Sequence, residues 1–312
     1  VRQFLYGNEF FEKEFGRRSR ILWLPDVFGY SAALPQILKK SGIDYFFTSK
    51  LSWSEFNLSP YDTFRWKGID GSEVLAYFIS TKDYVKKPDK DPNPSFNTTY
   101  NGILAPRQVM GCWQRFQDKT LTDDVLQCYG YGDGGGGPTR GMLERGRRLR
   151  NFPGLPKTEI GHIDDFFMTY HGKEDELPVW NGEMYYENHR GTFTSQAFVK
   201  KNNRKGEIAL PRCEMLASFA EIIKGKKYPK ERLEEAWRIL MTNQFHDILP
   251  GSSIEKVYED SMEQYEQVLA SDASLIGDAQ NALAARVRAD GDGVLVFNQL
   301  GFARDALGRV PV

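Results

Sequence analysis

Short apolar runs bounded by turn residues alternate with helix-spaced segments over the first half of the chain. Residues 21–24 are apolar, Pro25-Asp26 stops the run, and Phe28-Gly29-Tyr30-Ser31 turns the chain into 32–40, where Leu34, Ile37 and Leu38 recur at helical spacing. Ser41-Gly42 closes that helix, and Tyr45-Phe46-Phe47-Thr48 has the aromatic and β-branched content of a second strand. The spacing predicts a β-α-β unit with parallel strands and a right-handed crossover. A further strand is predicted at 74–79 after the Asp70-Gly71 turn, then a Pro/Asn/Lys-rich loop over 86–97, a helix over 102–118, and a strand over 125–131 that runs into a glycine-rich stretch.

From about Glu183 the pattern changes to helical spacings alone. They cover 194–210 and 212–223, then 229–245 with a stripe at Leu233, Ala236, Trp237, Leu240 and Met241, then 253–268 with Ile254, Val257, Tyr258, Met262 and Tyr265. A last helix is predicted over 272–288, and 293–300 reads as a strand. The expected organisation is therefore an α/β domain over 1–180, a helical bundle over 181–270, and a linker helix with the start of a β-rich region over 271–312. The opening Val1-Arg2-Gln3 and the isolated closing strand suggest a piece of a longer protein, cut at both ends.

Charge adds exclusions. With 41 basic against 42 acidic side chains among 312 residues, no global field draws nucleic acid or an anionic membrane, and no apolar run is long enough to span a bilayer. Three widely spaced cysteines, Cys112, Cys128 and Cys213, read as buried free thiols. Only four histidines occur, so a metal site would have to lean on carboxylates. Aromatic residues reach 13%, which suits flat sugar faces as well as a core.

Three segments carry candidate chemistry. Asp26 follows a strand, at the edge where parallel α/β folds place their sites; taken alone it reads as a cap for the next helix. Asp133 is the single acid in Gly130-Tyr131-Gly132-Asp133-Gly134-Gly135-Gly136-Gly137, a loop that lacks both the P-loop ending and the dinucleotide spacing. His246-Asp247 sets an imidazole beside a carboxylate at a helix end; a lone histidine there reads more simply as core or cap. His162-Ile163-Asp164 has metal-ligand spacing but lies in a polar stretch, and a surface role is expected.

Taken together, Trp23-Leu24-Pro25-Asp26-Val27-Phe28-Gly29-Tyr30-Ser31, Gly132-Asp133-Gly134-Gly135-Gly136-Gly137-Pro138 and Asn243-Gln244-Phe245-His246-Asp247-Ile248-Leu249-Pro250-Gly251-Ser252-Ser253 resemble glycoside hydrolase family 38, the retaining α-mannosidases, in the bacterial and cytosolic branch. Further similarity runs through 42–53 and 186–197. The resemblance implies an incomplete parallel (β/α) barrel-like catalytic domain, a helical middle domain and the start of a β-rich C-terminal region. It implies Asp26 as nucleophile and zinc ligand, Asp133 as acid/base, His246 as a second zinc ligand, Phe28 and Asp247 as mannose contacts, and Lys50 on the leaving-group side. One zinc ion is expected, with two further ligands upstream of residue 1, since 1–20 hold no histidine. The implied partner is an α-mannoside or oligomannose glycan in the cytoplasm, with room for a homo-oligomer and no nucleic acid or membrane. Two competing readings are a degenerate mannoside binder without turnover and a zinc-dependent carbohydrate deacetylase.

Overall fold

The computed structural model describes residues 1–87, 97–288, 291 and 293–305. The chain divides into two compact units, Val1–Arg190 and Gly191–Val312.

The first unit is built on a five-stranded sheet. Its strands are β1 (Ile21–Trp23), β3 (Tyr45–Thr48), β5 (Glu73–Phe78), β4 (Thr63–Lys67) and β6 (Val179–Asn181), in that spatial order. A separate antiparallel pair joins β2 (Gly29–Tyr30) to β7 (Met184–Tyr185). The predicted crossover is present: helix α2 (Leu34–Lys40) links β1 to β3, which run parallel with Leu22 opposite Phe46. β3 and β5 are also parallel, with Phe46 opposite Ala76. The sheet is nevertheless mixed, which corrects the all-parallel expectation. β4 and β5 form an antiparallel hairpin across the Asp70-Gly71 turn, because a short turn can join only antiparallel neighbours.

Apolar layers cover both faces of this sheet. Phe46, Phe64, Trp66 and Phe78 pack on one, Phe47, Tyr77, Phe166 and Phe167 on the other, which is why β5 reads as a continuous apolar run. At the start of β4, buried Asp62 meets Arg115 Nη1 at 3.0 Å, and the Asp118 carboxylate accepts from the Asp62 and Thr63 N–H groups at 2.7 Å. Helices α1 (Arg2–Phe15), α4 (Arg140–Leu149) and α5 (Ile163–Met168) complete the unit with α3 (Pro106–Arg115), a helix shorter than the 102–118 expected.

Residues 125–131 are not a strand. Their N–H groups go to side chains and a distant backbone carbonyl instead of a ladder: Leu126 to Tyr77 Oη, Cys128 to Thr81 Oγ1, and Gly130 to Gly102 O. Of the loop expected over 86–97, residues 88–96 lie outside the described residues, as do 306–312 of the tail.

The second unit holds three long helices, α6 (Ala197–Lys224), α7 (Lys230–Thr242) and α8 (Glu255–Ala284). Two of them are longer than the pattern suggested. α6 continues through Pro211, whose missing N–H removes one helical bond while Leu210 and Cys213 on either side stay buried. α8 spans both segments expected at 253–268 and 272–288, since Ala270-Ser271-Asp272-Ala273 contains no breaker. The α7 stripe is buried at Leu233, Ala236, Trp237 and Leu240 as expected, whereas Ile254 and Met262 of the next stripe stay exposed. The run 293–300 carries no strand, because no ladder partner exists for it among the described residues.

Candidate active site

The first group of residues is set by the parallel ladder of β1 and β3. Beyond its last pair the contacts continue: Leu24 N–H donates to Phe47 O, and the N–H groups of Ser49 and Lys50 both donate to Pro25 O at 3.1 and 3.0 Å. The C-terminal ends of the two strands are thereby stitched together. Lys50 Nζ consequently lies 2.9 Å from Asp26 Oδ1, with the two side chains only 13% and 19% exposed. An ammonium so close, in so little water, favours the ionised carboxylate. Asp26 does not cap α2, whose N-terminus follows Ala33 and has no side-chain cap, so the simpler reading of Asp26 is corrected.

The Phe28 ring lies 5.6 Å from the Lys50 ammonium. It stacks against Tyr186 at 6.2 Å and meets the edge of His189 at 5.1 Å, so it forms a wall of packed aromatic rings. Below them, buried Tyr30 donates to Leu24 O at 2.7 Å; burial and the Asp26 charge hold its phenol above the usual tyrosine range.

Asp133 sits in the exposed glycine loop, which is anchored by two residues that sequence reasoning passed over. Asn101 Oδ1 accepts from the N–H groups of Gly132 and Asp133 at 2.8 and 3.2 Å, while Asn101 Nδ2 donates to Asp133 Oδ2 at 2.7 Å. The Tyr100 phenol donates to Asp133 Oδ1. A Cβ at Gly132 would stand 2.7 Å from Asn101 Oδ1, so a larger residue there would displace the Asn101 side chain that holds the loop. Tyr100 also faces the first carboxylate: burial, then the hydrogen bond to Asp133 and the Asp26 charge, keep its phenol well above the usual range. Both acids singled out in the sequence therefore converge on one phenol. No pattern pointed to Tyr100 or Asn101; their only signal is a polar pair just after a low-complexity loop.

Within the helical unit, His246 and Asp247 lie in the turn after α7. Asp247 Oδ1 accepts from Ser252 Oγ at 2.8 Å, and its backbone carbonyl accepts from the Tyr258 phenol at 3.0 Å. His246 Nε2 lies 3.6 Å from Asp247 Oδ2 and its ring is 4.3 Å from that of Phe245. At 26% exposure His246 is not a core residue. The turn is held from α6, where Lys200 donates to Leu249 O at 2.7 Å, and Gly251 at φ +89° would carry a Cβ into Ser195 O at 2.7 Å. An imidazole and carboxylate oxygens are donors that zinc accepts, so Asp26 and His246 have the right chemistry for the expected ion. His162 precedes α5 on the surface, 2.9 Å from Asp164, as anticipated. The three cysteines are free, with Cys112 and Cys213 buried and Cys128 partly so.

The first unit is thus a mixed α/β sheet and the second a set of long helices. Family comparison is specific: the glycosyl hydrolases family 38 N-terminal domain matches residues 1–183, and the alpha mannosidase middle domain matches 187–283. The chain belongs to glycosyl hydrolases family 38. It is 42% identical to alpha-mannosidase G of Dictyostelium discoideum over 282 residues, covering 90% of this chain and 24% of that protein. It is 39% identical to alpha-mannosidase 2C1 of Mus musculus over 312 residues, 100% of this chain and 28% of the relative. The chain thus spans about a quarter of the length of these relatives. The crystal structure of an alpha-mannosidase from Enterococcus faecalis V583 shares the fold, with a TM-score of 0.67 at 18% identity over 88% of this chain and 31% of that one. Among the described residues, no helix is long and apolar enough to cross a membrane.

Proposed function

We propose that this chain carries catalytic residues of a retaining, zinc-dependent, exo-acting α-mannosidase that removes terminal mannose from α-mannosides such as oligomannose glycans. The observation that carries the reading is that Tyr100 donates to Asp133 while the Asp26 charge acts on the same phenol, since retaining hydrolysis needs two carboxyls near one another. The relatives' names point the same way, and they favour neither a binder without turnover nor a deacetylase.

In this mechanism a carboxylate oxygen of Asp26 attacks the anomeric carbon while Asp133 gives its proton to the glycosidic oxygen, so the C1–O bond to the leaving group breaks as the ester to Asp26 forms. Asp133, now ionised, takes a proton from water, which attacks C1 and releases Asp26; the two inversions give net retention. Lys50 fixes the Asp26 carboxylate through Oδ1. Phe28 lines the bound mannose and Asp247 accepts a hydrogen bond from one of its hydroxyls. Asp26 and His246, with further ligands, are the residues that would hold a zinc ion, which would supply Lewis-acid grip on sugar hydroxyls.

The test is hydrolysis of an aryl α-mannoside followed by NMR, together with zinc content. The reading expects α-mannose as the first product and bound zinc whose content falls well below that of the parent in His246→Ala. β-Mannose as first product contradicts retention, and full zinc in His246→Ala contradicts the ligand assignment.

A further inference from the structure

The Asp26–Lys50 pair has a second aromatic neighbour that the steps above leave unused. The Lys50 ammonium lies 5.6 Å from the Phe28 ring and 4.7 Å from that of Trp53. The two rings differ in setting. Phe28 is packed among Tyr186 and His189, whereas Trp53 is 41% exposed. Exposed as it is, Trp53 is fixed at both ends: its indole N–H donates to Thr98 O at 2.9 Å, and its backbone carbonyl accepts from Asn188 Nδ2 at 2.7 Å.

The turn that follows is fixed too, by an unusual means. Glu187, 4% exposed, accepts from the backbone N–H groups of Glu55, Phe56 and Asn57, and from Asn57 Nδ2 at 2.6 Å. Burial alone would raise this carboxyl; its donors outweigh burial and hold it below the usual glutamate range. Water could solvate a surface turn at little cost, so a buried carboxylate spent on one turn is a device for rigidity. What the turn holds rigid, and offers to solvent, is the Trp53 ring, with Phe56 farther out at 81% exposure. A pre-ordered aromatic face beside a charged pair recognises the C–H face of a pyranose without losing freedom on binding.

We propose that Trp53, carried on the turn clamped by Glu187, is the platform for the sugar on the leaving-group side of the bond to be cleaved. The inference rests on the mannosidase reading. Its direction follows from the two settings: an enclosed ring, Phe28, suits the mannose that becomes bonded to Asp26, and an exposed ring suits the sugar that departs into water.

The test compares α-mannobiose with α-mannosyl fluoride, whose leaving group has no ring to stack. In Trp53→Ala the ratio of kcat/KM for mannobiose over the fluoride falls about 10-fold or more. Trp53→Leu, which keeps apolar volume without a ring, falls likewise, and Trp53→Phe restores most of the ratio. A ratio within twofold of the parent in Trp53→Leu, whatever the absolute rates, overturns the proposal. If the parent protein cleaves neither substrate, the mannosidase reading fails, and the platform is judged by calorimetric titration with mannobiose. A Kd weakened about 10-fold in Trp53→Leu then supports it, and a change under threefold overturns it.

Discussion

Asp26 and Asp133 are held in opposite ways. Asp26 stands at the end of a strand stitched to its parallel neighbour, mostly buried, against the ammonium of Lys50. Asp133 stands in an exposed glycine loop, held by the neutral donors of Tyr100 and Asn101. The contrast teaches a division of labour. Under the proposed mechanism, the group that attacks carbon at a fixed approach is the one built on the sheet beside a cation, and the group that gives and then takes a proton is the one built on a loop among partners that carry no charge.

The largest break in that contrast is Asp26→Ala. It should lower kcat/KM by more than ~10,000-fold for activated and unactivated mannosides alike, because no intermediate forms with either; steady-state kinetics on both classes would expose a smaller or selective loss. Asp133→Asn should cost about 100–10,000-fold with poor leaving groups and far less with activated aryl mannosides. An equal loss with both classes would erase the distinction between the two acids.

Tyr100→Phe sharpens the comparison more gently, removing one donor from Asp133 and leaving the Lys50 contact of Asp26 in place. It should cost ~10-fold with poor leaving groups, and wild-type rates would show that Asn101 alone positions the acid.

A third acid shows what happens when a weak thiol donor stands in for either kind of partner. Asp272 on α8 is 1% exposed, faces Cys213 Sγ at 3.7 Å, and is pushed up to about 6 by burial. A carboxyl raised in the folded state is bound to its proton more tightly there than in the unfolded chain. Stability from this group is therefore greatest in acid and is lost as pH rises from about 4 through about 6. Asp272→Asn should flatten that slope and raise the unfolding midpoint at pH 7.5 by ~2–5 °C in thermal denaturation, with little gain at pH 4.

The sequence made the strand-turn-helix frame around Asp26 readable because β3 and the crossover are strongly patterned, and the Gly-rich loop and the His246 turn are local motifs. What escaped it was non-local. The antiparallel β4 depends on a hairpin partner, the 125–131 segment spends its N–H groups on the hydroxyls of Tyr77 and Thr81, and Tyr100 and Glu187 act on residues 33 and about 130 positions away. The helices run on past Pro211 and Ala270-Ser271, where a breaker or polar pair weakens local propensity while burial on either side sustains the helix.

The central claim is that Asp26 becomes covalently bonded to the sugar. Incubation with 5-fluoro-mannosyl fluoride, proteolysis and mass spectrometry test it directly. The account predicts a fluoromannosyl increment on the peptide containing Asp26, absent in Asp26→Ala. Rapid turnover with no labelled peptide, or a label on Asp133, would contradict it.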